Sequence, residues 1–267
     1  MMNFRKCNPL YGYRWFTEGV KLFLSQPWPW LALVGITLLL MLMLSFLPLL
    51  GLAGIFALFP GIAAGFMLAS REALAQRPIT FNYLAAGFKV APKPLLAVGG
   101  LAFMVFFLAL ILITIGWREQ FLALVNLAQS QASDQEALLR ALNDLTIPTL
   151  VTLAVMLVIA NATWFAPALV VFRQVKPREA IALSLRACLR NFGPFLVYGV
   201  LLLLLDVLTS FALKLILSAV RTIGGEQAAG VVGMVVSFPL ICAFLAIIFA
   251  SAYVSYVDVF ETAPKPD

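Results

Sequence analysis

The stretch from Trp30 to Ser70, WLALVGITLLLMLMLSFLPLLGLAGIFALFPGIAAGFMLAS, runs for forty-one residues without a charged side chain. A hydrocarbon layer of about 30 Å is crossed by roughly 20 apolar residues in a helix, so this stretch is long enough for two crossings. Charge-free runs recur at 94–116, 145–172 and 227–257. The chain of 267 residues is 63% hydrophobic and 11% charged, too little polar surface to cover a water-soluble globule. The sequence therefore predicts an all-α, polytopic membrane bundle, a single membrane domain over 1–267.

Working outward from the first run, the cluster Pro48, Gly51 and Gly54 predicts the turn between helices at about 30–49 and 53–70, because Pro removes a helix donor and Gly accepts tight backbone geometry. Further transmembrane helices are expected at Pro94–Gly116, Pro148–Phe172, Pro194–Ala219 and Ala228–Tyr253, which makes six, with Gly224-Gly225 as a turn between the last two. Trp117 and Arg118 close the third, and Tyr253 and Tyr256 form an aromatic belt at the end of the sixth. The polar, aromatic-rich first 27 residues do not resemble a cleavable signal, so Met1 is expected to remain.

Lys and Arg orient this arrangement, since they are retained on the cytoplasmic side. Fourteen of the 18 fall in the N-terminal segment, the 71–93 and 173–193 loops and the tail with Lys265, against Arg118, Arg140, Lys214 and Arg221 opposite. Both termini are thus expected in the cytoplasm. The net charge of +6 reads as a topology signal with membrane lipid as the partner, and nucleic acid is not needed to explain it.

Proline opens a span three times, in Pro29-Trp-Leu-Ala-Leu-Val-Gly35, Pro94-Leu-Leu-Ala-Val-Gly-Gly100 and Pro194-Phe-Leu-Val-Tyr-Gly199. Each is preceded by a short amphipathic stretch. Trp15, Gly19, Val20 and Phe23 oppose Arg14, Glu18 and Lys21; Phe81, Leu84 and Phe88 share a face; Ile181, Leu185, Leu189 and Phe192 oppose Arg178, Arg186 and Arg190. Such helices suit the plane of the interface on the cytoplasmic side. The even spans share a proline beside an aromatic, in Phe59-Pro60, Phe165-Ala-Pro167 and Phe238-Pro239. The expected unit of in-plane helix, odd span and even span covers roughly 12–70, 78–172 and 178–257, a threefold internal repeat.

Trp15, Gly19, Leu22, Phe23 and Pro27, together with Ala166-Pro167-Ala168-Leu169-Val170, Ala180, Ser184, Asn191 and Pro194, carry a resemblance over nearly the whole chain to uncharacterised bacterial multi-pass inner-membrane proteins with BPSS locus names. More distantly, the architecture resembles the membrane domain of some glycerophosphodiester phosphodiesterases, which holds no catalytic residues itself. The resemblance implies a fold and the bacterial inner membrane, and lends no activity.

Inside the apolar runs, Asp206 lies twelve residues past Pro194, about 18 Å along a helix and near the midplane. A carboxylate there costs about 2.5–3.5 kcal/mol on insertion, so it is expected to face helix six and bond Ser237, at the same depth. Asn161 and Thr163 are candidates for the same cavity, and Gly61 and Gly65 form a Gly-x-x-x-Gly spacing for close helix approach. Asp206 reads either as a proton or cation site or as a satisfied interhelical bond. The outer loop, 117–147, carries the capping pattern Ser133-Asp-Gln-Glu136 followed by Leu138, Leu139, Leu142 and Leu145, expected as an amphipathic cover over the outer bundle or a docking surface for envelope proteins.

The chain has no histidine, and Cys7, Cys188 and Cys242 lack metal-ligand spacing. No cofactor or metal is expected, and the composition points away from an enzyme. The first functional expectation is a structural or accessory component of envelope or membrane organisation. The alternative is a small transporter or channel using Asp206.

Overall fold

A computed structural model describes residues 4–129 and 135–261. Its elements are α1 (Leu10–Ser25), α2 (Pro27–Ser45), α3 (Pro48–Leu74), α4 (Tyr83–Val90), α5 (Pro92–Gly116), α6 (Arg118–Gln129), α7 (Gln135–Asp144), α8 (Thr146–Trp164), α9 (Ala166–Arg173), α10 (Pro177–Arg190) and α11 (Phe192–Tyr256), closed by a π-helical turn, Val257–Glu261. No strand occurs among the described residues, and five helical runs are long and apolar enough to cross a membrane. The last of these doubles back. Gly225 interrupts α11 with φ 77° and ψ −178°, a conformation open essentially to glycine alone. Beyond it Gly233 faces Leu217 across a hairpin, so α11 supplies two apolar arms, 192–224 and 226–256, of about 50 Å and 46 Å.

The first two spans divide differently from expectation. Pro48 sits in the first turn of α3, where its missing N–H removes no helix bond, and the turn is at Phe46-Leu47. Gly51 lies inside α3, where a side chain would collide with the Leu44 carbonyl, so it serves close approach rather than reversal.

The expected fourth span is two helices. At Phe165 the helical ladder opens and the Ser184 hydroxyl of α10 enters it, accepting from the Phe165 N–H at 2.9 Å and donating to the Asn161 carbonyl at 2.7 Å. Those two backbone groups would otherwise bond each other across one helical turn. An inserted hydroxyl and Pro167 one residue into α9 together account for the kink.

Each short helix at the basic end packs on a long one: α1 on α11, α4 on α3, α10 on α8 and α9. Glycine makes these approaches possible. A Cβ at Gly12 would overlap the Pro194 carbonyl, one at Gly19 the Ser251 hydroxyl, one at Gly65 the Tyr83 carbonyl and one at Gly87 the Gly61 carbonyl. The Gly61–Gly65 spacing is thus used within the chain, as a seat for α4. In α10 the face buried against the protein is Ala180, Ser184, Ala187 and Cys188, while Leu189 and Phe192 of the expected apolar face are exposed. Small residues let α10 lie close on α8, and the large apolar ones point outward.

The core gathers at the same end. Trp30 stacks on Phe66 at 6.1 Å and Phe66 on Phe249 at 4.0 Å. Trp30 donates its indole N–H to the Leu22 carbonyl at 3.1 Å, fixing the α1–α2 corner. The Gln26 side chain ties that corner to the 76–80 loop, donating to the Arg77 carbonyl and accepting from the Ile79 N–H, both at 2.9 Å. At the far end, α6 and α7 pack on each other. Leu138, Leu139 and Leu142 stay exposed, so α7 does not seat them on the bundle as a cover would. Ser133 and Asp134 of the capping pattern lie outside the described residues.

Candidate functional site

The two arms of α11 flank a half-open, mostly apolar pocket of about 310 Å³ that carries a few polar groups. Asp206, Thr209 and Ser210 line it from the first arm and Ser237 from the second, with Leu213, Leu240, Ile241 and Phe244 completing the walls. Helical spacing explains the convergence. Positions 206, 209, 210 and 213 lie on one face of the first arm, and 237, 240, 241 and 244 on one face of the second. The sequence expectation that Asp206 and Ser237 meet at one depth thus agrees with their placement.

The expected hydrogen bond is not formed. Thr209 returns its hydroxyl to the Leu205 and Asp206 carbonyls at 2.8 and 3.0 Å, whereas no hydrogen bond joins Asp206 to Ser237 among the described residues. Asp206 is exposed and Ser237 half-buried, so the carboxylate faces a space rather than a partner. Asn161 and Thr163 are not at this pocket. The Asn161 amide donates to its own helix at the Leu157 carbonyl, 2.7 Å away, and the Thr163 hydroxyl to the Ile159 carbonyl at 2.8 Å. The part of Asn161 used between helices is its backbone carbonyl, at the Ser184 insertion.

A second polar cluster, which the sequence reading missed, lies at the basic end. Asp258, 1% exposed, pairs with Arg14 at 3.1 Å and accepts the Trp15 indole N–H at 3.1 Å. Asn191, fully buried, accepts the Cys7 N–H at 2.7 Å and donates to the Arg5 and Ala187 carbonyls at 3.1 and 2.9 Å. The Arg5 N–H donates to the Val259 carbonyl at 2.8 Å. The segment before α1 is therefore clasped between the start of α11 and the π-helical turn after it. Trp15 packs edge-on against Phe195 with ring centres 5.1 Å apart. Burial, then the Asp258 charge, raises the Cys7 thiol above its usual range, and burial pushes Cys188 up to about 12. Both are held as thiols, unsuited to nucleophilic attack at neutral pH.

These features define a class: an α-helical, multi-pass integral membrane protein with a hydrogen-bonded base and a half-open pocket within its last hairpin. The chain is similar to a protein of Burkholderia thailandensis named "Probable inner membrane protein", with 29% identity over 262 residues that cover 95% of this chain and 94% of that one. No protein-family model and no solved structure matches it. The relative agrees with the expected inner-membrane resemblance, and the likeness to the glycerophosphodiester phosphodiesterase membrane domain finds no support.

Proposed function

We propose that this protein is a non-catalytic component of the bacterial inner membrane, with both termini on the cytoplasmic side, that organises lipid or envelope proteins around its spans. The observation that carries this reading is the contrast along the first arm of α11. The base is sealed by the Asp258 and Asn191 clusters, while Leu203, Val207, Leu208 and Phe211 above it stay 54–65% exposed to whatever surrounds the chain. Apolar helices gain no hydrophobic free energy from packing on one another in place of lipid, so such faces are free to hold lipid or a neighbouring helix. The cation distribution supports the orientation, and the inner-membrane relative the compartment. Native mass spectrometry of the full chain from lipid nanodiscs tests the reading: specific lipid or protein is retained and vesicles show no flux. Flux with nothing retained overturns it.

A second reading is favoured by the pocket itself. A carboxylate midway along an apolar arm, beside three hydroxyls and without a partner among the described residues, suits a proton or monovalent cation, as in a small transporter. Proteoliposomes given a proton or sodium gradient discriminate: flux lost in Asp206→Asn supports transport, and no flux in the unmodified protein rejects it.

A further inference from the structure

At the basic end a cleft of about 440 Å³ opens between the start of α5 and the α9–α10 turn. Its walls are Val90, Val170, Val171 and Val175, and its polar groups include Lys93 and Lys176. Both lysines are exposed, and neither has a carboxylate partner among the described residues. Glu72 is taken by Arg71 and Arg77, and Asp258 by Arg14. Placement makes the pair costlier still. Lys93 is the second residue of α5 and Lys176 the N-cap of α10, and helix N-termini carry partial positive charge that disfavours a cation. Two unpaired ammonium groups on two positive helix ends, facing one cleft, form an electrostatic arrangement that an anion between them completes.

We infer that this cleft binds the phosphate-bearing headgroup of an anionic glycerophospholipid. A phosphodiester between Lys93 and Lys176 pairs with both ammonium groups and offsets one of their two charges, and the valine walls accept the glycerol and upper acyl carbons that a soluble phosphate lacks. Depth agrees, because the cleft lies where α5 begins its span, the level of the headgroups. The inference rests on the lipid-holding part of the first functional reading.

The test uses the full chain in nanodiscs of phosphatidylcholine with phosphatidylglycerol, read by native mass spectrometry. The unmodified protein retains phosphatidylglycerol in preference to phosphatidylcholine. Each of Lys93→Gln and Lys176→Gln lowers that retention about fivefold and the double variant about 25-fold, the weight of a cation beside an anionic lipid surface. Arg186→Gln, in the middle of α10 away from the cleft, leaves it unchanged. Thermal melting of each variant separates loss of the site from loss of fold, and the graded single variants carry the test where the double one fails to fold. Equal retention in the double variant overturns the site, even if other lipids are retained and the first reading stands. Displacement by inorganic phosphate overturns the lipid assignment in favour of a soluble phosphate. A protein that retains neither lipid nor protein and carries flux fails at the functional reading instead.

Discussion

In α3 every residue from Pro60 to Ser70 is buried, whereas in the first arm of α11 Leu203, Leu204, Val207, Leu208 and Phe211 are all exposed. Both are apolar helices, and hydrophobicity alone does not distinguish them. Residue size and hydrogen bonding do. The buried stretch reads PGIAAGFMLAS, with Gly61 and Gly65 seating α4, while the exposed one is built from Leu, Val and Phe, which hold a neighbouring backbone at a distance. Where a bilayer supplies apolar surroundings to every helix equally, close backbones and satisfied polar groups decide which helices stay together.

The comparison is most exposed to attack at Trp15. Trp15→Ala removes its ring from Phe195 and leaves Asp258 without its indole donor, at a cost of about 3–5 kcal/mol seen as loss of thermal stability in detergent. Asn191→Ala comes next, at about 2–3 kcal/mol, because the Cys7 N–H and Arg5 carbonyl lose a buried partner. Ser184→Ala leaves the Phe165 N–H without its acceptor and the Asn161 carbonyl with only the Cys188 thiol, for about 1–2 kcal/mol, and a straightened α8–α9 detected by spin-label distances would accompany it. Gly225→Ala places a side chain at positive φ, for about 1 kcal/mol or more, and cysteines at 217 and 233 crosslink less readily in that background. The smallest effect belongs to the far half: Asp206→Asn changes stability by under about 0.5 kcal/mol, since no internal bond is lost. A large loss there would show that the open half is held together by polar contacts after all.

Much of this molecule was legible in its sequence. Charge-free runs located the apolar segments, Pro29, Pro94 and Pro194 each fall two residues inside the starts of α2, α5 and α11, and the rise of a helix brought Asp206 level with Ser237. The failures have a common origin. The apolar side of α10 was marked by its large residues, whereas its packing face of Ala180, Ser184, Ala187 and Cys188 was not marked at all, because a close approach is made by what is small. The kink at Phe165 depends on a hydroxyl nineteen positions away in sequence, and the Asp258 cluster on partners 243 residues apart, so no local pattern announces either. Asp258 follows directly on the last apolar run, where an acid looks like the ordinary end of a span. Asn161 and Thr163 were assigned to the pocket by residue type, but a polar side chain in an apolar helix satisfies itself on its own preceding turn when it can.

The clasp joining Arg5 and Cys7 to Asn191 and Val259 also sets an order of events during biosynthesis. Residues emerging early from the ribosome must wait, with their binding groups unsatisfied, until all the intervening segments have entered the bilayer and residue 259 has been made. A translation product truncated before residue 258 leaves the Trp15 indole and the Arg14 guanidinium without the carboxylate that they share.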